Sequence, residues 1–131
     1  MSVGDGRRTN GSKVRGTLNI FPQGVVSNLV NTSRPQKGAG VYLKVGVGRS
    51  AYGCINQLGG SLYHNSNLQC MIGAFLTPSK GTLSVEDGTF HTPSNLFAAV
   101  VGEGFVSVGP GAGVIEAKNV TLSNTVCEVG G

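Results

Sequence analysis

The chain has 131 residues, enough for one domain's core, and 22 of them are Gly, more than twice ordinary usage but without a collagen-like triplet. No stretch approaches the ~18 consecutive apolar residues of a membrane span, and Arg7 and Arg8 are followed by no apolar run, so neither an anchor nor a signal peptide is expected. The net charge of +4 is unevenly placed: residues 1–80 hold nine Lys or Arg against Asp5, whereas residues 81–131 hold Lys118 against Glu86, Asp87, Glu103, Glu116 and Glu128.

Such an asymmetry fits an acidic partner held by the first half, or copies packed head to tail. If the halves interleave in one sheet instead, the charges mix on the folded surface. Aromatics are sparse and Trp is absent. Ala, Glu and Lys never accumulate as they do on amphipathic helices, so the expected structure is mostly β.

Residues 1–16, MSVGDGRRTNGSKVRG, carry four basic residues among Gly, Ser, Asn and Thr. They bury too little to fold alone and read as an extended, flexible basic arm that orders on a partner. Thr17–Phe21 is strand-like, Pro22-Gln23-Gly24 is a turn, and Val25–Val30 is a second apolar stretch. Asn31–Gly40 reads as a loop presenting Arg34 and Lys37.

Val41–Gly48 alternates cleanly, with Val41, Leu43, Val45 and Val47 on one face and Gly46 and Gly48 on the other, where another backbone can approach closely. The centre of the chain is Leu68–Phe90. An apolar strand on both faces is followed by the turn Pro78–Gly81, a short strand through Leu83 and Val85, and the tight-turn pair Asp87-Gly88. It reads as the core hairpin. Leu96–Val101, Phe105–Val108, Val114–Leu122 and Val126–Val129 follow as short strands, with a brief helix conceivable at Ser94–Val100. Segments of this length and spacing imply a small antiparallel β-sandwich or barrel over residues 17–131.

Catalytic chemistry is not in evidence. His64 and His91 lie far apart and in no zinc-type spacing, and Cys54, Cys70 and Cys127 form an odd set read as buried reduced thiols. Glu86 and Asp87 are adjacent, a poor geometry for paired acid–base carboxylates. The Gly102-Glu103-Gly104 and Gly109-Pro110-Gly111 segments complete neither a dinucleotide fingerprint nor a phosphate loop. The chain is read as no enzyme, with no cofactor and no metal.

The segment MIGAFLT, leading across a turn to Gly88-Thr89-Phe90, resembles bacteriophage capsid decoration (cement) proteins. That resemblance implies a structural virion protein, assembled in the host cytoplasm, that binds the outer surface of a phage head and stabilises the expanded shell. Its partners would be the major capsid protein and neighbouring copies of itself. Arg7, Arg8, Lys13, Arg15, Arg34 and Lys37 are the candidate partner-binding residues. Two alternatives belong to other classes: a nonspecific nucleic-acid-binding β module using the basic first half, and a carbohydrate-binding β-sandwich using Tyr42, Tyr52 and Tyr63.

Overall fold

The computed structural model describes residues 1–5, 13–29, 42–66, 68–73, 79–98, 102–123 and 125–130. Within them the strands are β1 (Ser2–Asp5), β2 (Val14–Ile20), β3 (Val25–Leu29), β4 (Leu43–Val47), β5 (Ala51–Gln57) and β6 (Ser61–Asn65). These are followed by β7 (Cys70–Ile72), β8 (Ser79–Val85), β9 (Thr89–Ala98), β10 (Glu103–Val108), β11 (Val114–Leu122) and β12 (Thr125–Val129).

Every strand pairing is parallel. One sheet stacks β2, β5, β8, β10 and β12 in chain order, and forms the first face. The other sheet has two parts. Strands β3 and β6 and the first half of β9 and β11 make a second face, while β1, β4, β7 and the second half of β9 and β11 make a third. The chain therefore visits the three faces in rotation and returns one strand further along each time. It is a parallel β-solenoid whose coils stack at about 4.8 Å.

The antiparallel sandwich or barrel expected from the sequence is thus corrected to a parallel fold, though still all-β. Leu68–Phe90 is no hairpin: β7 pairs with β4 and β9, whereas β8 pairs with β5 and β10. Residues Glu86–Gly88 form a corner between two faces. There the Gly88 amide donates to Asp87 Oδ1, and the ladder runs on as Thr89 donates to the Gly60 carbonyl of the previous coil. Nor does a helix form at Ser94, which lies inside β9. Pro93 is exposed where β9 passes from the second face to the third, and β11 shifts register at the matching place, between Ala117 and Asn119.

The core fills with columns of residues that occupy equal positions in successive coils. Ile55, Leu83 and Val106 form one such column, Leu62 and Phe90 another, and Leu43, Cys70 and Leu96 a third; all are buried. A fourth column consists of Gly16, Gly53, Gly81 and Gly104 on the first face. It meets Gly4, Gly46 and Gly73 of the third face, whose φ values are +67°, +61° and +62°. A side chain at Gly46 would run into the Lys80 carbonyl, and one at Gly53 into the Gly46 amide. The two faces touch backbone to backbone along this line, which only glycine permits. The close approach expected at Gly46 is present, and the approaching backbone belongs to the chain itself.

Part of the expected arm is also ordered. Ser2–Asp5 pairs with β4, and Val14–Gly16 opens β2. Residues 6–12, which hold Arg7 and Arg8, lie outside the described residues.

Candidate functional site

The outward side chains of the first face alternate with the buried columns, as period two requires. They form three rows running along the solenoid. The first is Arg15, Tyr52, Lys80 and Glu103; the second is Thr17, Cys54, Thr82 and Phe105; the third is Asn19, Asn56, Ser84 and Ser107. Such rows repeat the solenoid's own spacing and present a regular, rigid surface.

Arg15, Tyr52 and Lys80 of row one and Thr17, Cys54 and Thr82 of row two, together with Gly16 and Gly53, line an open depression of about 390 Å³. Its charged lining is cationic, from Arg15 and Lys80, with no acid among the described lining residues. The Arg15 guanidinium lies over the Tyr52 ring, 5.6 Å from its centroid. This cation–π contact holds the cation at the face. Lys80 Nζ lies 3.9 Å from Glu103 Oε2, an exposed pair at the depression's edge. In row three Asn56 Nδ2 donates to Asn19 Oδ1 at 3.0 Å, and Ser107 donates to Ser84 at 2.9 Å.

Cys54 lies in this surface but is not set up as a nucleophile. Its thiol donates to Asn56 Oδ1 at 3.1 Å, and burial raises its pKa against the smaller opposing effect of that bond, so it stays protonated near neutrality. Cys70 is buried in β7, and burial pushes its thiol up to about 12. Both are free thiols. The side chain of Cys127 lies outside the described residues.

The histidines lie on adjacent strands, His91 opposite Tyr63, but their side chains point to opposite sides of the sheet. His64 points inward and is fully buried. Its Nε2–H donates to the Leu68 carbonyl at 2.7 Å, which fixes the tautomer, and Nδ1 then accepts from Asn28 Nδ2 at 2.9 Å. Burial lowers its pKa, with the nearby N-terminal charge adding and the Leu68 bond opposing. The Met1 ammonium donates to Asn28 Oδ1 and to the Tyr42 carbonyl. His64 is therefore a neutral, satisfied core residue that ties β3 and β6 to the chain start. His91 lies outward on β9, 2.9 Å from Glu116 Oε2 and beside Tyr63. Among the described residues no cluster of three His, Cys, Asp or Glu could hold a metal ion.

Of the six partner-binding candidates, Lys13 and Arg15 are exposed at the start of β2, and Arg7, Arg8, Arg34 and Lys37 lie outside the described residues. Sequence reading missed Lys80 as their companion. It lies 65 residues from Arg15, and only the parallel register of β2, β5 and β8 brings the two onto one row. The three tyrosines do not share a platform: Tyr52 is on the first face, Tyr63 on the second, and Tyr42 next to Lys44 at the start of the third.

The solenoid also decides what the charge asymmetry means. Coils stack in chain order, so position along the sequence is position along the axis. Lys13, Arg15, Arg49 and Lys80 are exposed on the coils from β2 to β8, whereas the exposed acids begin with Glu86 and Asp87 after β8 and continue with Glu103, Glu116 and Glu128, Lys118 being the cation among them. No helix among the described residues is long and apolar enough to cross a membrane. Comparison with protein-family models, with curated proteins and with solved structures finds no match to this chain.

Proposed function

We propose that the chain is a non-catalytic structural module that docks onto an acidic protein surface with the first face of its basic coils. The observation that carries this reading is the axial sorting of charge, which gives an open, cation-lined depression around Arg15, Tyr52 and Lys80. A parallel solenoid suits the role, because each coil braces its neighbours and the outward rows hold fixed spacing. Cation–π anchoring of Arg15 reduces the side-chain entropy lost on docking. The outer surface of a phage head is the partner that the sequence resemblance suggests. Support for that partner comes from the charge layout.

The test uses the 131-residue chain and three immobilised probes: polyglutamate, nonspecific duplex DNA and a neutral glycan array. Binding to polyglutamate that weakens with salt, and drops at least tenfold in Arg15→Glu with Lys80→Glu, is the expected result. Equal or tighter binding to DNA makes the chain a nucleic-acid module instead, and saturable glycan binding lost in Tyr52→Ala makes it a carbohydrate binder. Cosedimentation with expanded phage heads, reduced by the same double variant, then tests the virion assignment; heads that leave the chain in the supernatant refute it.

A further inference from the structure

We propose that the two ends of the solenoid bind each other in successive copies, so that the chain associates head to tail. This rests on the ends of the coil and is independent of the docking role of the first face. At one end, β11 and β12 carry no strand on their outer side among the described residues. Val120, Leu122 and Val129 are 51%, 42% and 79% exposed there. Yet they continue inward columns that one coil earlier, or two in the case of Val129, are fully buried at Leu96, Ala98 and Val85. Among the described residues nothing covers these columns, and open strand edges over apolar columns associate.

The shapes of the two ends show what fits. Strand β12 stands one coil beyond β11, and β1 stands one coil before β2. A second copy that sets its β2 on β12 therefore brings its β1 onto the second half of β11. By register, Val3 of the incoming copy continues the column of Val45, Ile72, Ala98 and Leu122. Its Ile20 likewise continues the column that ends at Val129. The match covers two of the three faces, leaving one strand's width open on the second face between β11 and the next copy's β3.

The backbone is poised for the same contact. Val14 donates to the Ser50 carbonyl and the Ile20 carbonyl accepts from Leu58, so Arg15, Thr17 and Asn19 turn their N–H and C=O groups to the outer edge of β2. On β12 Gly130 donates to Val108, which turns the N–H and C=O of Val129 outward. Charge sets the polarity: the exposed Lys13 and Arg15 mark the β2 end, and at the other Glu116 and Glu128 outnumber Lys118. Like ends repel and unlike ends attract, which favours a heterologous, open-ended stack over a closed dimer.

Sedimentation velocity of the 131-residue chain tests this. At low salt the weight-average mass is expected to rise with concentration through dimer and larger species, and to fall back at about 0.5 M salt. Thr17→Pro removes an outward donor from β2, and Leu122→Lys with Val129→Lys charges the other end; each variant alone is expected to remain monomeric. Mixed together, each keeps one good end, and the mixture is expected to stop at a one-to-one dimer. Should Thr17→Pro lower the urea midpoint, Lys13→Glu with Arg15→Glu serves as the block at that end. A wild-type chain that keeps a single mass over the whole concentration range overturns the proposal, as does a mixture that stays monomeric or association that survives in either single-end variant.

Discussion

Replacing Gly53 by Ala tests the backbone contact on which the cross-section depends. The added methyl would meet the Gly46 amide and the Val3 carbonyl, with the Val45 carbonyl carbon 2.9 Å away. All three are main-chain atoms of β4 and β1, and a main chain held in a ladder cannot rotate aside as a side chain would. Restoring ordinary contact means separating the first and third faces locally. Overpacking of this kind costs about 1–3 kcal/mol, and contact on two strands puts this case towards the upper part of that range. The lost freedom of the unfolded chain returns about 0.4–1 kcal/mol. The net expectation is a loss of about 2 kcal/mol, or roughly 8 °C in Tm for a domain of this size.

Gly46→Ala separates sterics from conformation. Gly46 has φ +61° as well as the clash with Lys80, so it carries an additional ~1–2 kcal/mol for a left-handed alanine. Lys118→Ala, on the exposed side of β11, is the control and should stay within about 0.5 kcal/mol of wild type. Urea unfolding followed by far-UV circular dichroism gives all three at once, and the expected order of loss is Gly46, Gly53, Lys118. A Gly53→Ala protein as stable as the Lys118→Ala control would mean that the two faces do not meet, and the solenoid cross-section described above would be wrong.

Two further predictions concern buried titratable groups. The folded-state pKa of His64 lies below its ordinary 6.5, so the native state takes up fewer protons than the unfolded chain as pH falls. Its contribution is complete above pH 6.5 and is lost progressively below it, so urea midpoints should fall with acidity there. His64→Leu should lose that component and cost about 1–3 kcal/mol at neutral pH by removing the donor to the Leu68 carbonyl and the closest acceptor of Asn28 Nδ2; a variant with an unchanged slope and midpoint would refute the assignment. Cys70 runs the opposite way, since burial raises it from 9.0 to about 12. Stability should decline by up to about 1.4 kcal/mol per pH unit across that window, and Cys70→Ala should remove this component of the alkaline slope.

How much was legible in the sequence depends on what each signal encodes. Alternation and short apolar runs found the strands: Val41–Gly48 contains β4, Val25–Val30 contains β3 and Val114–Leu122 is β11. Alternation fixes which side chains share a face and is silent about which neighbour a strand pairs with, so direction was open. Asp87-Gly88 then misled, because a solenoid corner and a hairpin turn both call for a short polar loop with a positive-φ glycine, here at +81°. The glycine column was hidden for another reason. Gly16, Gly53, Gly81 and Gly104 recur after 37, 28 and 23 residues, and varying corner lengths erase the fixed period by which a solenoid is recognised. Lys80 escaped with them, since a residue's place on a row is known only once the coil is closed.

That same stacking constrains how charge can be distributed along the chain. In an antiparallel sandwich, distant segments become neighbours and a basic half can be neutralised by an acidic one. In a solenoid each coil touches only the coils beside it, so among the described residues Lys13, Arg15, Lys44, Arg49 and Lys80 stay near each other along the axis. Like charges directly opposite in a ladder are destabilising, and row one avoids them by its order. Tyr52 separates Arg15 from Lys80, setting the two cations two coils apart, about 9.6 Å, which is beyond the ~8 Å screening length at physiological salt. Where the sign changes, Glu103 follows Lys80 directly and the two pair. The cationic end is thus arranged to coexist with itself inside one coil stack while keeping its field directed outward. A random mixture of charges on the same scaffold would have no such field to offer a partner.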